Sequence, residues 1–216
     1  MKKLLILPII AVSINSTYAD DFVARLYLGV DYGTAKLSDE TTSTATSLVS
    51  SLGGSATVTQ SSSVTNYRFF GGKELTENLG LELGYSKSSD VTLGISGQAG
   101  STYSNVSYSG SFATALSGFD YSMLLRPSIA SGMNGLFFRI GGHNLTQKTS
   151  GSITVSTKTV SSNTSESGSG LLYGFGYDTK IGKDLDFRLE YRKLNDIAGD
   201  SSLSATFYTI GIKKSW

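Results

Sequence analysis

Hydrophobic and polar residues alternate with a period of two over eight stretches of this 216-residue chain. In residues 22–32, FVARLYLGVDY, the positions Phe22, Ala24, Leu26, Leu28, Val30 and Tyr32 are apolar or aromatic, while the alternate set holds Arg25, Gly29 and Asp31. Successive side chains of a strand point to opposite faces, so the pattern predicts a strand with one apolar and one polar face. Similar alternation recurs in residues 64–73, 79–86, 119–126, 136–141, 171–178, 185–192 and 208–212. The cleanest case sets Leu185, Phe187, Leu189 and Tyr191 against Asp186, Arg188, Glu190 and Arg192. Phe137 breaks the rule by falling on the polar side of its strand. No segment sustains the i, i+3, i+4 spacing of a long amphipathic helix.

The connections alternate as well. Long segments at residues 33–63, 87–117, 148–170 and 195–203 are interleaved with short turns near Glu77-Asn78, residues 130–135 and residues 182–184. That order predicts an up-and-down antiparallel meander with every long loop at one end. The long segments are rich in Ser, Thr and Gly and poor in charge, as in TTSTATSLVSSLGGSATVTQSSS at residues 41–63. Such sequence cannot fill a core, yet its Thr and Val content permits strands. Alternation persists at Phe112, Leu116, Ile153 and Val155, which predicts that parts of the second and third loops form ordered hairpins.

Alternation does not say which face meets solvent, since a soluble sandwich alternates too. Composition decides it. Only 39% of residues are hydrophobic and 16% charged, with 25 Gly and 2 Pro, a poor inventory for a soluble core of this length. Charges of both signs sit in mid-strand on the polar face: Arg25, Arg68, Glu82, Asp120, Arg139, Asp178, Arg188, Glu190 and Arg192. Small and charged residues suit the lumen of a narrow eight-stranded barrel, which is just wide enough for side chains to fill. Tyr32, Tyr85, Tyr191 and Tyr208 lie at the loop ends of their strands and Trp216 at the turn end, where membrane barrels carry aromatic girdles. The predicted fold is all-β: an eight-stranded antiparallel up-and-down transmembrane β-barrel with long extracellular loops.

The two chain ends add context. Residues 1–19, MKKLLILPIIAVSINSTYA, read as a secretory signal peptide, leaving residues 20–216 as the barrel domain. The signal carries two of the 18 basic residues and none of the 17 acids, so the mature charge is near −1 and gives no electrostatic case for nucleic acid. The ending Tyr208, Thr209, Ile210, Gly211, Ile212, Lys213, Lys214, Ser215, Trp216 resembles the C-terminal signal of bacterial outer-membrane barrels, with Trp in place of the usual Phe. Residues 71–85, GGKELTENLGLELGY, look like the second-turn region of small porin-family, or opacity-type, eight-stranded proteins. The resemblance implies residence in the outer membrane of a Gram-negative bacterium, export through the periplasm, and insertion by the barrel-assembly machinery. It also implies contact with outer-membrane lipid, lipopolysaccharide included, and through the loops with a host or cell-surface ligand. The assembly signal would comprise Tyr208, Ile210, Gly211, Ile212 and Trp216.

Chemistry is sparse. There is no Cys and a single His, which excludes cysteine catalysis, disulfides and multi-histidine metal sites. His143 is the only candidate base for the lipid A deacylase chemistry that some eight-stranded barrels resemble, but Leu145 stands where that pattern needs Ser. No cofactor or metal motif is present, and the expectation is a non-enzymatic surface protein anchoring Ser/Thr-rich loops for adhesion or ligand binding and supporting envelope integrity. The alternative is a narrow channel for ions or very small solutes, opened if a lumenal pair such as Glu82 with Arg139 exchanges partners.

Overall fold

The computed structural model describes residues 26–38, 55–61, 63–98, 106–127 and 135–216. The signal peptide expected at residues 1–19, Arg25 and nearly all of the turn expected at residues 130–135 lie outside them. Ten strands follow in chain order: β1 (Leu26–Leu37), β2 (Ser55–Gln60), β3 (Val64–Glu74), β4 (Leu79–Ser88), β5 (Val91–Gln98), β6 (Ser107–Leu125), β7 (Leu136–Val155), β8 (Lys158–Lys180), β9 (Leu185–Ile197) and β10 (Asp200–Ser215). Eight of them close a ring in the order β1, β3, β4, β6, β7, β8, β9, β10, with β10 pairing back onto β1. Every pair is antiparallel, and closure removes the ring's free edges.

All eight predicted strands are present, the first from Leu26 onward since residues 22–25 lie outside the described residues, and several run far beyond their expected ends. β6, β7 and β8 have 19, 20 and 23 residues, about twice the roughly 10 needed to cross a bilayer. β4 covers the turn-end half of β6 (Lys87 opposite Ser117) and β5 its loop-end half (Val91 opposite Thr114), so the two form successive segments of one line. β2 adds to β5, and the outer parts of β6, β7 and β8 complete a five-stranded sheet standing above the barrel. The expected hairpins in the second and third loops are therefore real. The fourth long connection, expected at residues 195–203, is instead a tight turn at Ala198-Gly199, where Gly199 takes a φ of +85° and its N–H donates to the Asp196 carbonyl at 3.2 Å.

The apolar face points outward. Leu28, Val30 and Tyr32 of β1, Tyr67 and Phe69 of β3, Leu81, Leu83 and Tyr85 of β4, and their counterparts around the ring are exposed, while the charged face is buried. A soluble protein cannot leave such a continuous belt in water; a bilayer supplies the matching solvent. Aromatic rings meet across strands at the loop end of this belt: Tyr32 with Tyr67 at 5.1 Å, Tyr85 with Phe119 at 5.0 Å, and Phe175, Tyr191 and Tyr208 in a row at 5.2 and 5.4 Å. Leu83, 58% exposed, lies between the girdle and the turns. Leu83→Arg is expected to lower the stability of the folded barrel in lipid vesicles by about 2–4 kcal/mol, read from urea titration of the heat-modifiable band.

Candidate functional site

Inward-pointing positions stack into layers. At the turn end, Lys213 meets Asp178 at 3.1 Å and Asp186 at 3.2 Å, and Arg126 bridges Glu74 at 2.6 Å and Asp178 at 3.1 Å. Above them Tyr27, Phe70, Leu124 and Phe137 form a buried apolar cluster, which explains why Phe137 departs from its strand's pattern. The next layer is ionic, and Glu82 is its hub. Its carboxylate accepts from Arg68 at 2.8 Å, Arg139 at 2.7 Å, Arg188 at 2.8 Å and the Tyr27 hydroxyl at 3.1 Å. Arg68 also grips Asp120 with two N–H groups and reaches Asp31, while Arg188 grips Asp178 in the same bidentate way. Arg139 pairs with Glu190 and donates to Ser122 Oγ at 2.7 Å. Arg192 sits at longer range, 3.7 Å from Asp120 and 3.6 Å from Glu190.

These contacts bring together eight of the nine residues expected to face the lumen, all but Arg25, which lies outside the described residues. Asp31 joins the network and Tyr27 caps its hub; both share the inward parity of β1, the signal by which they could have been added. The arginines also use the apolar layer. The Arg188 guanidinium carbon lies 4.5 Å from the Phe70 ring centre and 4.8 Å from that of Phe137, a two-sided cation–π contact favoured where water is excluded. Glycine makes the room: a Cβ at Gly84 would overlap the Arg68 guanidinium, and one at Gly176 the Phe137 ring.

Towards the loop end the lumen becomes apolar again. Ala35, Val64, Val91, Leu116, Leu145, Leu172, Leu194, Ile197, Ala205 and Phe207 form one buried cluster. His143 is fully buried just below it, its Nε2 2.8 Å from the Asn195 carbonyl it donates to. A vestibule of about 340 Å³ opens on the outer side of this cluster, lined by Leu37, Val91, Leu93, Phe112, Ile197 and Leu203 with Thr114, Gln147 and Thr149 among its polar groups.

The sheet above the barrel has two unlike faces. Continuing the lumenal parity, Val58, Leu93, Ile95, Tyr108, Phe112, Ile153, Val155 and Val160 share one face across β2, β5, β6, β7 and β8. The opposite face carries Thr57, Thr59, Thr92, Ser96, Ser109, Ser111, Ser152, Thr154, Thr159 and Ser161. β8 pairs with β9 only from Leu172 onward, so residues 158–171 are laddered on the β7 side alone. Gly168 and Gly170 pack closely against the β9–β10 turn, so among the described residues the free sheet edge is residues 158–167, with Val160 71% exposed.

At the C-terminus Tyr208, Ile210 and Ile212 point outward and Gly211 inward, where a Cβ would overlap the Asp31 carboxylate. Trp216 is exposed past the end of β10, its N–H donating to the Leu26 carbonyl at 3.0 Å and its ring 5.5 Å from Lys214 Nζ.

The family model for the outer membrane protein beta-barrel domain matches residues 4–213. No curated protein matches the chain. Among solved structures, Ail, the attachment invasion locus protein of Yersinia pestis, in complex with the heparin analogue sucrose octasulfate, is similar at 8% identity and a TM-score of 0.47, over 89% of this chain and 99% of that one. OprG from Pseudomonas aeruginosa gives 11% identity and a TM-score of 0.43 over 90% and 98%. Neisserial surface protein A gives 14% and 0.39 over 88% and 97%.

Two expectations follow from the lumen. Glu82→Ala strips three buried guanidiniums of their shared acceptor, and breaking a buried ion pair from one side costs about 3–5 kcal/mol; denaturant titration of the refolded variant should show a loss of that size. Because apolar layers lie on both sides of the ionic layer, protein comprising residues 20–216 should give no conductance steps in a planar bilayer, and reproducible salt-dependent steps would contradict that.

Proposed function

Because this chain belongs to the outer membrane protein beta-barrel domain family and lies in the bacterial outer membrane, we propose that it is a non-enzymatic surface protein whose barrel anchors a protruding sheet for adhesion or ligand binding. The observation that carries this reading is the free edge of β8 at residues 158–167, laddered on the β7 side alone. Native sheets usually blunt such edges with Pro, lysine or bulges. Here residues 159–165 read TVSSNTS, with neither a charge nor a proline. A partner strand can add to an edge of this kind through main-chain hydrogen bonds, with side-chain pockets supplying selectivity. The apolar face beside it and the vestibule at its base offer burial for alternate side chains of the incoming strand.

The barrel's own contribution is mechanical. Its ion-paired lumen holds the ring rigid and so fixes the height and orientation of the sheet, and it adds a sealed element to the envelope. Within this reading residues 1–19 direct export, and Tyr208, Ile210, Gly211, Ile212 and Trp216 guide assembly into the membrane.

The sheet can be shortened without disturbing the ring. Ser150 and Asn163 are opposite one another, so replacing residues 150–163 by an Asn-Gly turn keeps the register and closes the hairpin on the Thr149–Thr164 rung. Cells displaying this variant at wild-type level, with unchanged heat-modifiable migration, are expected to lose at least tenfold in adherence to epithelial monolayers or immobilised matrix proteins. Undiminished adherence would remove β8 from the binding element.

A further inference from the structure

Carboxylates and most lysines are sorted to opposite sides of the ring wall, the arginines and Lys213 facing in with the acids. The carboxylates Asp31, Glu74, Glu82, Asp120, Asp178, Asp186 and Glu190 all make lumenal ion pairs. Lys36, Lys73, Lys87, Lys148, Lys193 and Lys214 instead share the outward parity of their strands, at or beyond the two ends of the apolar belt. Lysine is the side chain that can lay its stem along an apolar wall and lift its ammonium into the headgroup layer.

Two of these lysines converge. Lys36 on β1 and Lys193 on β9 are both directly opposite Thr206 on β10. With neighbouring strands about 4.8 Å apart, the two backbones are separated by about 10 Å, a span that two lysine stems close over one phosphate with the Thr206 hydroxyl between them. Neither lysine has an ion-pair partner among the described residues. One outward step towards the membrane come Thr34, Tyr208 and Tyr191. Below them the wall is hollowed into an open groove of about 680 Å³ whose lining includes Tyr32, Phe175, Leu189, Tyr191, Tyr208 and Ile210. A cationic clamp at headgroup height above an apolar groove running down the wall matches an amphiphile with a phosphate at its head and acyl chains below.

We propose that Lys36, Thr206 and Lys193 bind the phosphate of a phosphorylated glycolipid of the outer leaflet, whose acyl chains occupy the groove beneath. The site commits to lipid-borne phosphate, because the three strands that carry the clamp, β1, β9 and β10, also line the groove directly beneath it, joined there by β8 and Leu136 of β7. Phosphate recognition comes from the two ammonium charges and the hydroxyl; retention comes from the groove.

The test uses protein refolded into zwitterionic phosphocholine nanodiscs, with bound lipid counted by native mass spectrometry as lipid A is added. Wild type is expected to retain one lipid A at concentrations where the double variant K36S/K193S, equally folded by heat-modifiable migration, needs at least tenfold more. K73S/K214S, altered at the opposite rim, should bind like wild type. Equal retention by K36S/K193S would overturn the site. So would equal retention of dephosphorylated lipid A, which would leave an acyl groove without a clamp. Displacement of the lipid by inorganic phosphate would also overturn it, by showing that the clamp serves a free anion.

Discussion

One buried carboxylate, Glu82, sets the terms for the rest of the molecule. It accepts from three arginines on three different strands and from a tyrosine on a fourth. A ring of eight strands encloses a space too narrow for bulk water and too wide to stay empty. Filling it with arginine requires acids in matching number, placed within hydrogen-bond reach, because an unpaired buried ion is costly. It also requires wall positions without side chains, which is the role of Gly84 against Arg68. The outward face is then free to be almost wholly apolar. A single two-residue period thus serves two solvents, and a slip of one residue in any strand would put arginine into lipid and leucine into the ionic layer.

The same parity persists above the membrane. Side chains that face the lumen within the barrel face the vestibule beyond it, and there Val, Leu, Ile, Tyr and Phe predominate on β5, β6 and β7, while β8 adds Lys158, Val160, Ser162, Thr164 and Glu166 at the same parity. Below, buried ion pairs fill the space; above, the sheet turns a hydroxyl-rich face away from the vestibule.

Much of this was legible in the sequence, and the reasons for the exceptions are physical. The eight ring strands, their outward and inward faces and the lumenal charges follow from alternation, because a lipid-facing belt enforces it residue by residue. Strand length did not follow: beyond the bilayer β8 reads SSNTSESGSG, and a strand solvated on both faces needs no contrast between them. Its extension depends on the continuous ladder with β7. The ends of β9 and β10 read as a loop because Asn195, Asp196 and Gly199 are turn formers, and sequence does not show how tight the turn at Ala198-Gly199 is. Phe137 looked like an exception and proves to be half of the aromatic clasp on Arg188.

The unequal heights of the strands give the molecule a front and a back. The β9–β10 turn packs against Gly168, whereas β8 continues to Lys158, about ten residues or 33 Å further along the strand. Among the described residues, a tall wall therefore stands beside a low sill, with the edge of the wall overlooking the sill. Among the same described residues, that edge is open from the side, across the β9–β10 rim. The open side faces the membrane beneath Lys193, so the sugar chain of a glycolipid held by Lys36 and Lys193 would act as a hedge, sheltering the edge when tall and baring it when trimmed.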